Sequence, residues 1–451
     1  MSSASMLEHP LGRDGSALDA LDALRSLAGS LNAACACYSL DLQTLRQTLQ
    51  ADSVLSDWWP RWQDTHAHLF SATGLFVSLA HLQAMREAVR VLHTAMSTPA
   101  WREQALALAP AVARTAMGPQ GVFMGYDFHL SEAGPQLIEI NTNAGGAMLS
   151  LALTRAQHAC CDAAHAWLHT ATEVATLETR WLEMFAREWA LQRPGQAFVP
   201  ATGPARTLAI VDESPARQYL YPEFLLFQDL FRRAGVDAVI AAPDELTWVQ
   251  GQLQHEGRRI DMVYLRLTDF YLETPKNAAL REAWQTGACV FTPNPETHAL
   301  HANKRHLVTL SDPGWRRHSG LSESMQDVLA GCMPPTQLLT PGNAEALWAE
   351  RKRYFFKPLN GYGSKAAYRG DKLTAKTWAQ IRQSPYVAQT LIPPSQRVVR
   401  VGDARKPLKA DLRAYAYAGE VQLFAARLYD GQTTNFRTDG GGFAPVFVTP
   451  T

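Results

Sequence analysis

Residues 125–128 read Gly125-Tyr126-Asp127-Phe128, and residues 137–146 read Leu137-Ile138-Glu139-Ile140-Asn141-Thr142-Asn143-Ala144-Gly145-Gly146. Between them, Ser131-Glu132-Ala133-Gly134-Pro135 has the composition of a tight turn. The flanking β-like runs, 122–130 and 136–141, therefore read as the arms of a hairpin. Glu139 and Asn141 are two residues apart on one arm and share a face. Asp127 approaches that face from the other arm. Two carboxylates and an amide oxygen make a hard, oxygen-only site. Magnesium prefers such a site, usually shared with substrate phosphates. The same residues also fit a polar hairpin with solvated acids.

Two further segments carry chemistry. Tyr354-Phe355-Phe356-Lys357-Pro358-Leu359-Asn360-Gly361-Tyr362-Gly363-Ser364-Lys365 is a strand ending on a lysine, followed by a glycine-rich turn. Backbone N–H groups of such a turn can close around phosphate oxygens while lysine supplies a point charge. The spacing is not that of a Walker loop. Near the C-terminal end stand Lys409-Ala410-Asp411-Leu412-Arg413, Ala426-Arg427 and Asn435-Phe436-Arg437-Thr438-Asp439-Gly440-Gly441-Gly442. Arginine suits a bidentate grip on phosphate or carboxylate. A cationic surface is the plainer reading.

The rest of the 451 residues sets the frame, with room for about two to four domains. Residues 16–31, 81–96 and 101–117 have helical apolar spacing, with Pro110 breaking the third. Residues 149–192 return to helix, and 193–205 read as a linker. Apolar runs 207–211, 238–241, 262–267 and 289–292 alternate with helices 217–234 and 277–285, which predicts an open, mostly parallel sheet. Strands are predicted at 353–357, 386–392, 408–417 and 421–428. The 42 basic residues cancel the 42 acidic ones, so nucleic-acid binding is disfavoured. No apolar run reaches the ~18 residues of a membrane span, and no signal peptide is read. The cytoplasm is the expected location. The six cysteines form no CxxC pair and read as reduced thiols, including adjacent Cys160 and Cys161. His298 and His301 lack a third ligand for zinc, His66 and His68 point to different helix faces, and no GxSxG elbow is present. Trp58, Trp59 and Trp62 read as helix packing.

Taken together, these segments resemble the ATP-grasp ligases. That family has an Asp-Leu-Arg pattern, a downstream arginine and an Asn/Arg–Gly-Gly segment. It also has a metal-binding Asp followed about twelve residues later by Glu-x-Asn; here 139 − 127 = 12. The order differs, because the metal half comes first. That resembles the circular permutation of eukaryotic-type glutathione synthetases. Arg217-Gln218, the run from Asp261 to Arg266, Asn294-Pro295 and Asn303-Lys304 look like the substrate domain of those enzymes. The resemblance covers roughly residues 100–450.

The resemblance implies an α+β (α/β) protein with a circularly permuted ATP-grasp fold, an inserted Rossmann-like substrate domain and a helical N-terminal region. The implied segments are 1–100, 101–192 (metal site), 205–298 (substrate domain), 299–395 (nucleotide-binding subdomain) and 396–451 (arginine hairpin and glycine loop). Asp127, Glu139 and Asn141 would bind magnesium. Lys304 and Lys357 would contact ATP phosphates under a loop of Gly361, Tyr362, Gly363 and Ser364. Gln389, Thr390, Leu391 and Ile392 would lie beside the adenine. Arg413, Arg427 and Asn435 would face the transferring phosphate. Gln218 would bind substrate, and Arg266 and Arg437 would hold substrate carboxylates.

Three departures speak against glutathione as the product. Gly361 stands where an acid is expected, Gly125 replaces an arginine, and the stretch after Asn141 lacks a serine. The implied activity is ATP- and Mg2+-dependent joining of a small carboxylate to an amine through an acyl phosphate, in a homodimer. A non-catalytic ATP-binding protein and an ATP-dependent phosphotransferase are the alternatives.

Overall fold

The computed structural model describes residues 27–35, 37, 39, 45, 47, 65–157, 171–359, 361 and 366–450. Tyr362, Gly363 and Ser364, the tryptophans at 58–62, Cys160, Cys161 and most of the 16–31 helix lie outside the described residues.

The predicted hairpin forms from strands Met124–Ser131 and Gly134–Asn141, with Asp127 opposite Glu139 and Gly125 opposite Asn141. It does not stand alone. Strand Ala404–Tyr417 pairs antiparallel with Met124–Ser131, placing Arg413 opposite Asp127. Glu420–Tyr429 pairs on the other side, placing Arg427 opposite Asp411. Gly442–Ala444 closes that edge, and Ser395–Val401 pairs with the first half of Ala404–Tyr417. The result is a six-stranded sheet built from two distant parts of the chain.

Strand alternation divides this sheet into two faces. Leu412, Ala414, Ala426 and Leu428 join Tyr126 and Phe128 in an apolar core with Leu82, Met85, Val89 and Leu92. Those four belong to helix Leu79–Met96, whose first turn is capped by the Ser78 side chain accepting from the His81 N–H. The intervening residues, Asp127, Asp411, Arg413 and Arg427, point to the other face, where they line a cavity.

The predicted parallel sheet is present. Its order is Val290–Thr292, Met262–Leu265, Thr207–Val211, Asp237–Ala241, and every pairing is parallel. Helices Tyr221–Arg233 and Ala278–Gln285 accompany it. The first begins at Tyr221 rather than 217 because Pro215–Arg217 forms a short 3-10 turn and Pro222 opens the helix. A three-stranded antiparallel sheet, Leu246–Val249, Gln252–His255 and Arg258–Arg259, occupies the connection to Met262–Leu265; the sequence pattern did not show it. A fourth sheet orders Thr336–Leu338, Tyr386–Thr390, Tyr354–Pro358 and Tyr368–Arg369. It packs on Trp378, Ile381 and Leu347.

Two buried charges stitch distant segments together. The Glu188 carboxylate accepts from the N–H groups of Gln120 and Gly121 and from Thr292 and Tyr417 hydroxyls, at 2.5–2.9 Å. Arg397 is 1 % exposed and donates to the carbonyls of Gly74 (2.7 Å), Asn32 (3.1 Å), Leu31 (3.3 Å) and Cys35. It thereby closes the end of the helix formed by residues 27–34.

Candidate active site

A cavity of about 490 Å3 gathers side chains from three of the sheets. From the six-stranded sheet come Asp127, Glu139, Asn141, Asp411, Arg413 and Arg427. The small sheet and its surroundings supply Lys304, Lys357, Gly361, Gln389, Thr390, Leu391 and Ile392. The parallel sheet supplies Asp212, Gln218 and Arg266. Fourteen residues expected at the site from sequence thus line one space: Asp127, Glu139, Asn141, Gln218, Arg266, Lys304, Lys357, Gly361, Gln389 to Ile392, Arg413 and Arg427. Asn435 and Arg437 do not line it. The Asn435 amide is used within its own loop, donating to Asp430 O (2.6 Å) and accepting from the Arg437 N–H (3.0 Å). The Arg437 side chain is exposed.

Strand register explains the charged row. Arg413 grips Asp127 with two bonds, Nε to Oδ1 at 2.6 Å and Nη2 to Oδ2 at 2.7 Å. Arg427 bridges two acids, with Nε 2.7 Å from Asp411 Oδ1 and Nη2 3.0 Å from Asp127 Oδ2. Burial alone raises the Asp127 pKa, but the two guanidiniums outweigh it and hold the carboxyl well below the usual range. Asn141 Nδ2 donates to both acids, at 3.2 Å to Asp127 and 3.3 Å to Glu139. Among the described residues, the Glu139 carboxylate has no other hydrogen-bond donor. Glu139 and the Asn141 amide oxygen therefore fit a small hard cation, whereas Asp127 is already engaged. No group of three or more His, Cys, Asp or Glu among the described residues is arranged to hold a metal.

Lys357 is 4 % exposed, and its ammonium donates to Ile138 O and Gln389 Oε1, both at 2.7 Å. Burial pushes its pKa down to about 8 against the pull of Glu139. Lys304 Nζ lies 2.6 Å from Gly361 O, at the start of the glycine-rich segment. The two lysines approach from different elements, so this wall of the cavity is cationic. His129 Nδ1 donates to Ile392 O at 2.8 Å and pins the extended segment that follows Tyr386–Thr390.

In the parallel sheet, the chain moves from Thr207–Val211 to Asp237–Ala241 on one side and to Met262–Leu265 on the other. The carboxyl ends of Thr207–Val211 and Met262–Leu265 therefore flank a topological switch point, the usual ligand crevice of such sheets. Asp212 and Arg266 come directly after those two strands. Burial pushes the Asp212 pKa up to about 6. Arg266 is not a free carboxylate binder. It lies 3.4 Å from Glu223 Oε2 and donates to Tyr264 Oη at 2.9 Å. Glu223 also accepts from the N–H groups of Gly146 (2.8 Å) and Met148 (3.2 Å), so the pair fastens the Gly145-Gly146 turn. In the Arg266 guanidinium, Nε is buried without a partner among the described residues.

Sequence reasoning passed over Asp411, Asp212, Glu223 and His129 as site residues. Asp411 was within reach, because it lies two residues before Arg413 and so shares its face. Nothing local marks Glu223. Of the histidine pair, His298 stacks on Phe270 at 3.8 Å and contacts Thr142 at 3.2 Å.

No family model and no curated protein matches the sequence. Solved structures do. A glutathione synthetase-like effector (GSS30) from Globodera pallida, in apo form, superposes with a TM-score of 0.50 at 12 % identity, covering 90 % of this chain and 96 % of that one. A putative γ-glutamylcysteine synthetase from Methylobacillus flagellatus KT gives a TM-score of 0.45 at 10 % identity, covering 79 % and 84 %. D-alanyl-alanine synthetase A from Vibrio cholerae gives 0.31 at 10 % identity, covering 51 % and 70 %. The chain thus shares the fold of the glutathione synthetase-like effector, and it resembles the ATP-grasp ligases.

Proposed function

We propose that this protein is an ATP-dependent carboxylate–amine ligase that makes an amide or peptide bond on small amino-acid-like or peptide substrates. The observation that carries this reading is that one cavity holds Lys304, Lys357, Arg413 and Arg427 beside Glu139 and Asn141. The chain order is read as a circular permutation, because the hairpin of residues 124–141 and the strands of 404–444 complete one sheet from opposite ends of the chain.

ATP enters as a substrate. Lys304 and Lys357 meet its phosphates, and the segment from Gln389 to Ile392 lies along its base. Glu139 and Asn141 would hold magnesium, which neutralises phosphate charge when bound. A carboxylate oxygen attacks the γ-phosphorus and ADP leaves, giving an acyl phosphate. The amine then attacks the acyl carbon, losing a proton and expelling phosphate. Arg413 and Arg427 stabilise negative charge as it moves between these oxygens. The chemistry needs orientation and charge rather than a side-chain nucleophile.

The test is ADP release from ATP and Mg2+ with pooled amino acids and small peptides, in wild type and Glu139→Ala. Pool-dependent release that is lost in the variant supports the ligase. A stable phosphorylated acceptor in place of an amide would indicate a phosphotransferase. ATP binding without ADP formation would indicate a binding protein.

A further inference from the structure

The cavity face of the six-stranded sheet carries an alternating chain of charges, Asp411–Arg427–Asp127–Arg413, whose links span 2.6–3.0 Å. Asp127 Oδ2 accepts hydrogen bonds from Arg413 Nη2 at 2.7 Å and Asn141 Nδ2 at 3.2 Å, and forms an ion pair with Arg427 Nη2 at 3.0 Å. Oδ1 receives Arg413 Nε at 2.6 Å. A carboxylate offers about four lone-pair sites, two per oxygen, so these contacts fill Oδ2 and leave Oδ1 one site beside Arg413. A divalent cation placed on it would also sit against two guanidiniums.

The backbone is arranged for this grip. A Cβ added at Gly125 would stand 2.5 Å from Ala144 Cβ, 3.3 Å from Arg413 Nε and 3.5 Å from Arg413 Cδ. The space over Gly125 is taken first by Ala144, with the stem of Arg413 packed beside it, so a side chain at 125 would clash with Ala144 and press on Arg413. Arg413 Nη1 reaches Gly145 O at 3.4 Å. Arg427 Nη1 has no partner among the described residues, and Arg427 lines the cavity.

Given a ligase with ATP in this cavity, on which the assignment rests, we infer that Asp127 is a positioning residue and not a metal ligand. It fixes Arg413 and Arg427 as a preformed receptor for an oxyanion, and of the three hairpin residues only Glu139 and Asn141 serve the cation. Asp411 holds the far side of Arg427, so the receptor is aligned from both ends before any anion arrives. The four charges cancel, which lets the cluster stay buried without a bound anion.

The experiment uses the full chain and two readouts other than activity. Mn2+ binding is titrated by electron paramagnetic resonance with ADP present, in wild type, Asp127→Asn and Glu139→Gln. Asp127→Asn should weaken Mn2+ by no more than about a hundredfold, the scale of a change behind the ligands, while Glu139→Gln abolishes binding. Loss of Mn2+ in Asp127→Asn as complete as in Glu139→Gln would overturn the assignment. Inorganic phosphate and acetate are then added separately to the Mn2+- and ADP-loaded protein, and the thermal midpoint is measured. Protection of wild type by either anion, lost in Asp127→Asn, upholds the receptor and shows which oxyanion it takes. Protection undiminished in Asp127→Asn, or absent from wild type, overturns it. Should Asp127→Asn fail to fold, the charge-balanced pair Asp127→Asn with Arg413→Gln repeats the Mn2+ titration, the readout that does not depend on the Arg413 guanidinium. Wild type that binds no Mn2+ in the presence of ADP would overturn the ligase reading and this inference with it, a result distinct from equal loss in the two variants.

Discussion

Replacing Lys357 by Met should change how stability depends on pH. The Lys357 ammonium is buried against Ile138 O and Gln389 Oε1, and burial holds its pKa at about 8. An unfolded lysine titrates near about 10.4. Below about pH 8 both states carry the proton, and the cost of burying the charge is constant. Between about 8 and 10.4 the unfolded chain keeps a proton that the folded chain has released, so wild-type stability rises with pH across that window. Integrated from pH 7 to pH 10, the gain is about 2.5 kcal/mol. Lys357→Met has no such proton and serves as the reference. Urea unfolding of both proteins at pH 7, 8, 9 and 10 gives the difference directly. Wild type should gain on the variant by about that amount, mostly above pH 8. Nucleotide affinity of wild type should run the other way, falling above pH 8 as the amine loses its charge. A stability difference that stays flat from pH 7 to pH 10 would refute the reasoning.

Gly146→Ala should destabilise by about 2–5 kcal/mol, from a φ of +101° and overpacking against Phe443, whose Cζ would lie 2.1 Å from the new Cβ. Adding Phe443→Leu should recover part of that loss in a denaturant titration; strict additivity would show the ring is not the obstacle. Arg397→Met should cost about 2–4 kcal/mol, because it strands buried carbonyls at Gly74 and at the end of the helix formed by residues 27–34. Hydrogen exchange should localise the loosening to residues 27–35 and 74–78; an unchanged thermal midpoint would argue against the role given to Arg397.

The sequence determined a good deal by itself. Period-two alternation and the turn at 131–135 predict the hairpin, and with it the shared face of Asp127, Glu139 and Asn141. The short apolar runs of 207–292 predict a parallel sheet, because strands buried on both faces read as continuous Val, Ile, Leu and Ala. These features are local, and local steric and solvation preferences suffice to express them. Alternation says which side chains share a face, but not which strand lies next door. Only the tertiary pairing of Ala404–Tyr417 with Met124–Ser131 set Arg413 against Asp127 and brought two arginines onto that carboxylate. The parallel pairing of Leu75–Ser78 with Val446–Thr449 and the strand Ser395–Val401 were likewise unreadable, because short strands gain their hydrogen bonds from partners remote in the chain. The same holds for Arg266. Its arginine was visible in the sequence, but whether it faces a substrate or a buried Glu223 depends on helix Tyr221–Arg233 packing beside the strand that carries it. A charge acquires its role from what the folded chain places within about 4 Å of it, and register and packing decide that distance.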